Sequence, residues 1–315
     1  MFAWQCAATM TADEDFGTVY AYDLHNKSEN KQKFMINCPK GQEILTRFSP
    51  TGHAVLVWSS TLHDSTGKSY YGEHMLQYVQ IFGGRERQHV PVFDNLIQDI
   101  AWVPTGQNFI VVSGNQPATA TLYDKDCNPM FEFGKRYRNT IRICPFSQIA
   151  MIGGFGNLTG EVDFWSLDKL EQIGKTKAYC SVGIEWSPDG QHLMTSVLYE
   201  RVKVDNMISI FTPSGKKLFG KGENFEVLTS AAWQPREGLF TKPDLNVFFQ
   251  EAKDDEANKP KRTWAGSGNN STFSQLMRQE MGKASDQGPK KLTSTDKNEY
   301  REHGNQQANL AKEKT

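Results

Sequence analysis

The chain has 315 residues, 38 % of them hydrophobic and 11 % aromatic, enough to bury a substantial core, and no apolar run in it approaches the length of a membrane span. Lys and Arg number 35 against 36 acidic residues, which excludes a global basic field, so any nucleic-acid binding has to rest on local patches. The five cysteines, Cys6, Cys38, Cys127, Cys144 and Cys180, form no C-x-x-C pair and meet no paired histidine spacing; neither a zinc site nor a disulfide framework is indicated, and buried thiols in a reducing cytosol are expected.

Residues 1–17 read as an irregular N-terminal segment. Its start, Met1-Phe-Ala-Trp-Gln-Cys6, has no positive stretch and meets Asp13-Glu-Asp15 too early for a signal peptide. Further along, one short turn keeps returning: Phe48-Ser-Pro50-Thr-Gly52, Trp102-Val-Pro104-Thr-Gly106, Cys144-Pro145, Trp186-Ser-Pro188-Asp-Gly190 and, as a partial fifth copy, Trp233-Gln-Pro235. The prolines are 54, 41, 43 and 47 residues apart. A second marker runs in step, with Tyr22, Tyr78, Tyr123, Trp165 and Phe211 each closing a short run at spacings of 56, 45, 42 and 46. Tyr22-Asp23 and Tyr123-Asp124 stand where a WD-type repeat places Trp-Asp. Between the markers apolar positions alternate, as in Val162/Phe164 and Ile208/Ile210, with Glu161, Asp163 and Ser209 as the polar partners; the period is that of strands. A repeat of about 40–50 residues built from such runs predicts an all-β, WD40-like β-propeller over residues 18–250.

The blades follow in chain order. Residues 18–36 supply the last two strands of one blade. Strands near 44–48, 53–59, 73–81 and 88–92 form the next, three more occupy about 97–133, 140–173 and 181–219, and 228–250 open another. About four whole blades and two partial ones leave open sheet edges that propellers normally close, so part of the propeller is expected to be missing. From 251 to 315 the sequence turns polar and charged and is expected to form a mostly disordered tail. Within it Ser271 could cap a short helix over 271–283 that carries Phe273, Leu276, Met277 and Met281 on one face.

Two motifs tempt an enzymatic reading and fail, and a third is missing. Leu62-His-Asp-Ser-Thr-Gly67-Lys68-Ser69 ends like a phosphate-binding loop but has Leu where the first glycine belongs and lies between strands. Gly154-Phe-Gly156-Asn-Leu-Thr-Gly160 has one residue too many for a dinucleotide fingerprint, and its glycines suit a blade turn. No G-x-S-x-G occurs. A non-enzymatic protein without catalytic residues, metal or cofactor is expected.

What remains is surface. The loops between second and third strands, and between one blade and the next, share one face of a propeller. Here they carry Lys68, Tyr70 and Tyr71, then Lys135, Arg136, Tyr137 and Arg138, then Phe155, and then Tyr199, Arg201, Lys203 and Lys221. Cations interleaved with aromatics suit RNA, through phosphate contacts and base stacking. Lys68, Tyr70, Tyr71, Lys135, Arg136, Tyr137, Arg138, Arg201 and Lys203 are the candidate RNA- or ribosome-binding residues.

The loops also carry a resemblance. Asp64-Ser-Thr-Gly67-Lys-Ser-Tyr70-Tyr71-Gly72-Glu73, Pro117-Ala118-Thr-Ala-Thr121, Cys127-Asn-Pro129-Met-Phe131-Glu-Phe133-Gly134, Arg138-Asn139, Gly154-Phe-Gly156-Asn157-Leu158 and Trp186-Ser-Pro-Asp-Gly190 occur in that order. Over about residues 45–250 the chain resembles the second half of the propeller of the eukaryotic translation initiation factor 2A family. The resemblance implies a nine-bladed propeller with a flexible, basic, partly helical tail. It further implies a cytoplasmic, non-enzymatic factor that binds the small ribosomal subunit and directs initiator methionyl-tRNA to it without GTP, with mRNA and other initiation factors as further partners and no membrane. Two departures stand out. The first four or so blades have no counterpart here, and Lys261-Arg262-Thr263-Trp264 is followed by polar sequence in place of a Pro-rich stretch and Lys-rich helices. The b subunit of initiation factor 3 and a generic WD-type protein-interaction scaffold without RNA binding are the alternative readings.

Overall fold

The structure is a computed structural model that describes residues 4–10, 17–23, 32–38, 41–62, 72–80, 87–89, 96–220, 224–235, 238, 240–258 and 288–299. A three-stranded sheet comes first, in the order β1 (Trp4–Met10), β2 (Gly17–Asp23), β3 (Gln32–Cys38). Four four-stranded blades follow, each in chain order. They are β4 (Glu43–Phe48), β5 (Ala54–Ser60), β6 (His74–Gln80) and β7 (Arg87–His89); β8 (Ile97–Trp102), β9 (Asn108–Ser113), β10 (Ala118–Asp124) and β11 (Pro129–Arg136); β12 (Thr140–Ile143), β13 (Ile149–Gly153), β14 (Glu161–Ser166) and β15 (Glu171–Lys177); and β16 (Gly183–Trp186), β17 (Leu193–Val197), β18 (Asn206–Phe211) and β19 (Lys217–Phe219). A two-residue strand, β20 (Asn224–Phe225), also pairs with β18. After helix α1 (Leu245–Ala257), β21 (Lys290–Lys291) adds a fifth strand beside β11.

The chain divides into two compact units: residues 1–132, 139–143 and 291–315, and residues 133–138 and 144–290. In the first unit the period-two geometry of β5 sends its side chains to two different cores. Val55 and Val57 join Val19, Ile36 and Cys38 on one side, whereas Ala54 and Leu56 join Ile97, Ile100, Phe109, Val111 and Tyr123 on the other. Such a strand reads as an almost unbroken apolar run because both faces are covered. In the second unit Ile149, Met151, Phe164 and Ile173 meet Trp186, Leu193 and Phe211 in a core of the same kind.

The repeated turn joins the first and second strand of each blade and has one hydrogen-bond pattern throughout. Ser49, Val103, Cys144 and Ser187 each donate N–H to the carbonyl five residues on and accept at their own carbonyl from the N–H three residues on. That third residue takes the left-handed conformation, at φ of 71° for Gly52, 72° for Gly106 and 66° for Gly190; in the third blade the place is held by Ser147 at 62°. Ser49 Oγ and Ser187 Oγ also accept from the N–H of Ala54 and His192, and in the third blade Cys144 Sγ accepts from Ile149 N–H at 3.3 Å.

The tryptophan of the motif ties one copy to the preceding one. Trp102 Nε1 donates to the carbonyl of Arg47, the residue before Phe48, at 2.8 Å. Trp233 Nε1 donates to the carbonyl of Glu185, the residue before Trp186, at 3.2 Å. The first-strand edges are clasped by a side chain as well. Asp99 accepts from Ile141 N–H (2.9 Å), Ile100 N–H (2.9 Å) and Arg142 Nη1 (3.3 Å), while burial pushes its carboxyl above the usual carboxylate range.

Three stretches depart from the sequence-based expectation. The segment expected to be irregular over 1–17 contains β1, whose seven residues pair with β2 from Trp4↔Asp23 to Met10↔Gly17; Trp4-Gln-Cys-Ala-Ala-Thr-Met10 lacks alternation, and the unpaired edge of β2 supplies the reason to extend. The opening of a further blade expected over 228–250 gives way to α1. Asp244 caps it by accepting Asn246 N–H at 2.9 Å, and Leu245 and Phe248, three residues apart, are buried on the second unit's core. Within the tail expected to be mostly disordered from 251, α1 continues to Ala257 and Lys290–Lys291 form β21, with Leu292 buried beside it, while 259–287 and 300–315 lie outside the described residues. The proposed helix at 271–283 lies outside the described residues.

At the turn, a Cβ on Gly106 would need φ near 72° and would come within 2.8 Å of the Thr51 side chain. Gly106→Ala is expected to cost about 1–2 kcal/mol, whereas Ser147→Gly should be neutral or stabilising by up to about 1 kcal/mol. Urea unfolding of the two variants measures this, and equal losses would rule out the left-handed turn at Ser147.

Candidate nucleic-acid interface

Four loops of the second unit interlock. The connection after β11 carries Tyr137, whose carbonyl lies so close to Gly154, at the start of the β13–β14 loop, that any Cβ there would collide with it. Gly160 N–H closes the same loop on the Gly154 carbonyl at 2.8 Å, and Ala178, in the β15–β16 connection, donates to the Gly160 carbonyl at 2.8 Å. Arg201, between β17 and β18, donates from Nη2 to Asn157 Oδ1 at 2.6 Å. The glycines of the 154–160 loop therefore serve close backbone approach and positive φ, as expected for a blade turn.

On these loops and the adjoining end of β11 lie five of the nine candidate residues. Lys135 is exposed, Tyr137 is half exposed, and Arg201 and Lys203 are exposed. Lys203 Nζ sits 4.1 Å from the centre of the Tyr199 ring. Arg136 keeps 38 % of its side chain in solvent while pairing with Asp163 at 3.4 Å. Lys68, Tyr70, Tyr71 and Lys221 lie outside the described residues.

Arg138 is a correction. Its side chain is 1 % exposed, and its Nη2 lies 3.4 Å from Asp163 Oδ2, so it faces the interior and not a phosphate. Asp163, read from alternation as an outward polar residue, is itself buried and also accepts from Gln172 Nε2 at 2.8 Å. Alternation failed because β14 is covered on both faces beyond Glu161, so Asp163 is buried and has to be paired inside. Burial pushes the Asp163 carboxyl above the ordinary range against the pull of Arg136 and Arg138.

Sequence reasoning missed Tyr179 and Lys177. Tyr179 is 63 % exposed in the β15–β16 connection, the centre of its ring 5.9 Å from Lys177 Nζ, and Lys177 pairs with Glu161 at 3.3 Å. The interleaved run Lys175-Thr-Lys-Ala-Tyr179 held the same cation-and-aromatic signal as the loops that were chosen. Cys180, beside it, is exposed, unlike the buried Cys38 and Cys144. Among the described residues no cluster of His, Cys, Asp and Glu could hold a metal, and no helix is long and apolar enough to cross a membrane.

Repeated four-stranded blades, each with the same turn between its first and second strand, define a WD-type propeller protein. The family model of eukaryotic translation initiation factor eIF2A matches residues 40–229, more than half of the chain. The initiation factor 2A of Dictyostelium discoideum is 34 % identical over 242 residues, covering 77 % of this chain and 38 % of that protein; the Saccharomyces cerevisiae factor is 32 % identical over 201 residues, covering 62 % and 31 %. A crystal structure of a eukaryotic initiation factor superposes with a TM-score of 0.63 at 24 % identity, over 75 % of this chain and 55 % of that one, a likeness of fold. The chain belongs to the eukaryotic translation initiation factor 2A family, and it spans about a third of the length of those two curated relatives.

Removing Arg138 should leave the buried Asp163 with only the partly exposed Arg136 and the Gln172 amide as partners. Arg138→Met is expected to cost about 3–5 kcal/mol, and adding Asp163→Leu should restore most of the loss. Because the Asp163 carboxyl lies above its unfolded value, the folded protein favours its protonated form, and losing Arg138 raises it further. The deficit of Arg138→Met should therefore be largest near neutral pH and shrink as the pH falls towards about 4. Urea melts across that range test the sign; a deficit that grows on acidification would remove Asp163 from the explanation.

Proposed function

We propose that the chain acts in translation initiation without catalysing a reaction, by binding the small ribosomal subunit through the interlocked loops of the second unit and directing initiator methionyl-tRNA to it independently of GTP. The observation that carries the reading is the run of exposed Lys135 at the end of β11 and Tyr137, Tyr179, Arg201 and Lys203 on adjoining loops, in a chain whose family relatives are initiation factors. Lysine and arginine neutralise phosphates, and half-exposed tyrosines offer flat faces to unpaired bases. The ligand side of the reading is therefore RNA with single-stranded segments, encountered in the cytoplasm. Messenger RNA and other initiation factors are further partners in this reading, and no nucleotide cofactor takes part.

The test is binding of the full chain to single-stranded RNA and to purified small ribosomal subunits across a series of salt concentrations. Lys135→Ala, Arg201→Ala and Lys203→Ala combined should flatten the slope of log K against log salt by about 2, at about 0.7 per phosphate contact. Arg136→Ala should add less, because its charge is shared with Asp163. An unchanged slope would exclude these loops. Complexes that survive ribonuclease with unchanged composition would favour a protein-interaction scaffold instead.

A further inference from the structure

The C-terminal segment that returns to the first unit is held by very little. Leu292 donates its N–H to the Met130 carbonyl of β11 at 3.4 Å and buries its side chain to 7 % exposure, while β21 contributes only Lys290 and Lys291 to the sheet. Directly after Leu292, Thr293 is exposed. Its N–H and its Oγ1 both donate to Asp296 Oδ2, each at 2.7 Å, and Asp296 N–H returns to Thr293 Oγ1 at 3.3 Å. This reciprocal bonding is a capping box: Thr293 caps the helical turn at 294–299 that follows the blade edge, with Lys297 N–H donating to the Thr293 carbonyl at 3.0 Å.

We propose that Thr293 is a phosphorylation site for a basophilic serine/threonine kinase and that the phosphate releases β21 from β11. Lys290 and Lys291 stand three and two residues before an accessible hydroxyl in the sequence Lys290-Lys-Leu-Thr293, and cations at those positions suit an acidic substrate groove. Thr293 Oγ attacks the γ-phosphorus of ATP; the new O–P bond forms as the bond to the ADP oxygen breaks, and the hydroxyl proton passes to the kinase base. The product has lost the Oγ–H that Asp296 accepted. It carries about −1.5 to −2 charges against the Asp296 carboxylate, an arrangement that opens by repulsion. Leu292 is the next residue, so the opening pulls at the one apolar side chain buried beside β21. The freed edge of β11 then presents unpaired N–H and C=O groups to another strand.

Two preparations of the full chain test this. In one, the chain is incubated with Mg-ATP and the catalytic subunit of a basophilic kinase, and the modified residues are mapped by mass spectrometry; phosphate on Thr293, and none at that position in Thr293→Val, is expected. Modification of other hydroxyls with Thr293 untouched would overturn the site. In the other, a synthetic C-terminal peptide carrying phosphothreonine at 293 is ligated to the remainder of the chain, and amide hydrogen exchange is read over 288–299. Exchange should accelerate about tenfold or more, as it should in Leu292→Asp, which breaks the same contact without a phosphate. If Leu292→Asp accelerates exchange and the phosphorylated chain does not, or if neither does, release by phosphate is wrong.

Discussion

Each central strand of this chain has to hide both of its faces, and most of the architecture is a consequence. A strand in a one-sided sheet sends alternate residues to water and needs only one neighbour. Here Val55 and Val57 lie in one core while Ala54 and Leu56 lie in another, so β5 is stable only with a sheet on either side. The burial of β13 and β17 along their whole length expresses the same requirement in the second unit. A blade of this kind is not an independent folding unit. Its stability is a sum of interfaces, which is the energetic character of repeat proteins.

That requirement explains what was legible in the sequence and what was not. The turn between first and second strands was legible because its chemistry is local: a left-handed residue at a fixed place, preceded by proline and a side chain that accepts a backbone N–H. Even the degenerate copy at Cys144 keeps the pattern, with sulfur accepting where serine oxygen does elsewhere. Together with the aromatic marker in step with it and the alternation between them, this turn carried the reading of the blades. The inward or outward direction of polar residues was not legible, because alternation assumes one wet face. Asp163 and Arg138 looked like surface residues and are buried partners. Nothing in the spacing of a carboxylate and a guanidinium 25 residues apart in the chain announces that they meet. Helix α1 was overlooked for a different reason: its cap, Asp244, and its buried Leu245 and Phe248 occupy less than one blade period and were absorbed into the expected next repeat.

The same distinction sorts the candidate interface. Once the inward-facing Arg138 is removed, the exposed cations that remain lie at the end of β11, in Lys135, and on the β17–β18 loop, in Arg201 and Lys203, where each can keep its head in water. Their positions are set by close backbone approach and by side-chain contacts together. Gly154 and Gly160 allow the loops to approach, and Asn157 holds Arg201. The interface is accordingly a property of four successive connections, and Tyr179 enters it although no single loop motif marked it. Opposing charge is present as well, since Glu161 shares Lys177 and Asp163 shares Arg136. The field over these loops is moderated in the way expected of a chain whose net charge is close to zero.

Trp233 shows that the register of the repeat outlasts the strand that normally carries it. Its indole reaches the Glu185 carbonyl in the way that Trp102 reaches Arg47, yet residues 226–235 form no strand. The hydrogen bond therefore needs only the aromatic residue and the preceding first strand, and not a completed blade. What the absent strands leave unsatisfied is burial, because the apolar side chains of the last blade still require cover. Helix α1 supplies part of it, with Leu245 and Phe248 buried in the core that contains Phe211 and Trp186, and with Lys169 set 4.5 Å over the Phe249 ring at the margin. Ser214 donates to Glu251 at 3.1 Å, and Lys169 donates to Asn246 at 3.1 Å, so polar contacts at two blade turns fix the helix in place. Since dispersion and desolvation do not distinguish a helical side chain from a strand side chain, a capped amphipathic helix satisfies a constraint that the repeat elsewhere meets with another sheet.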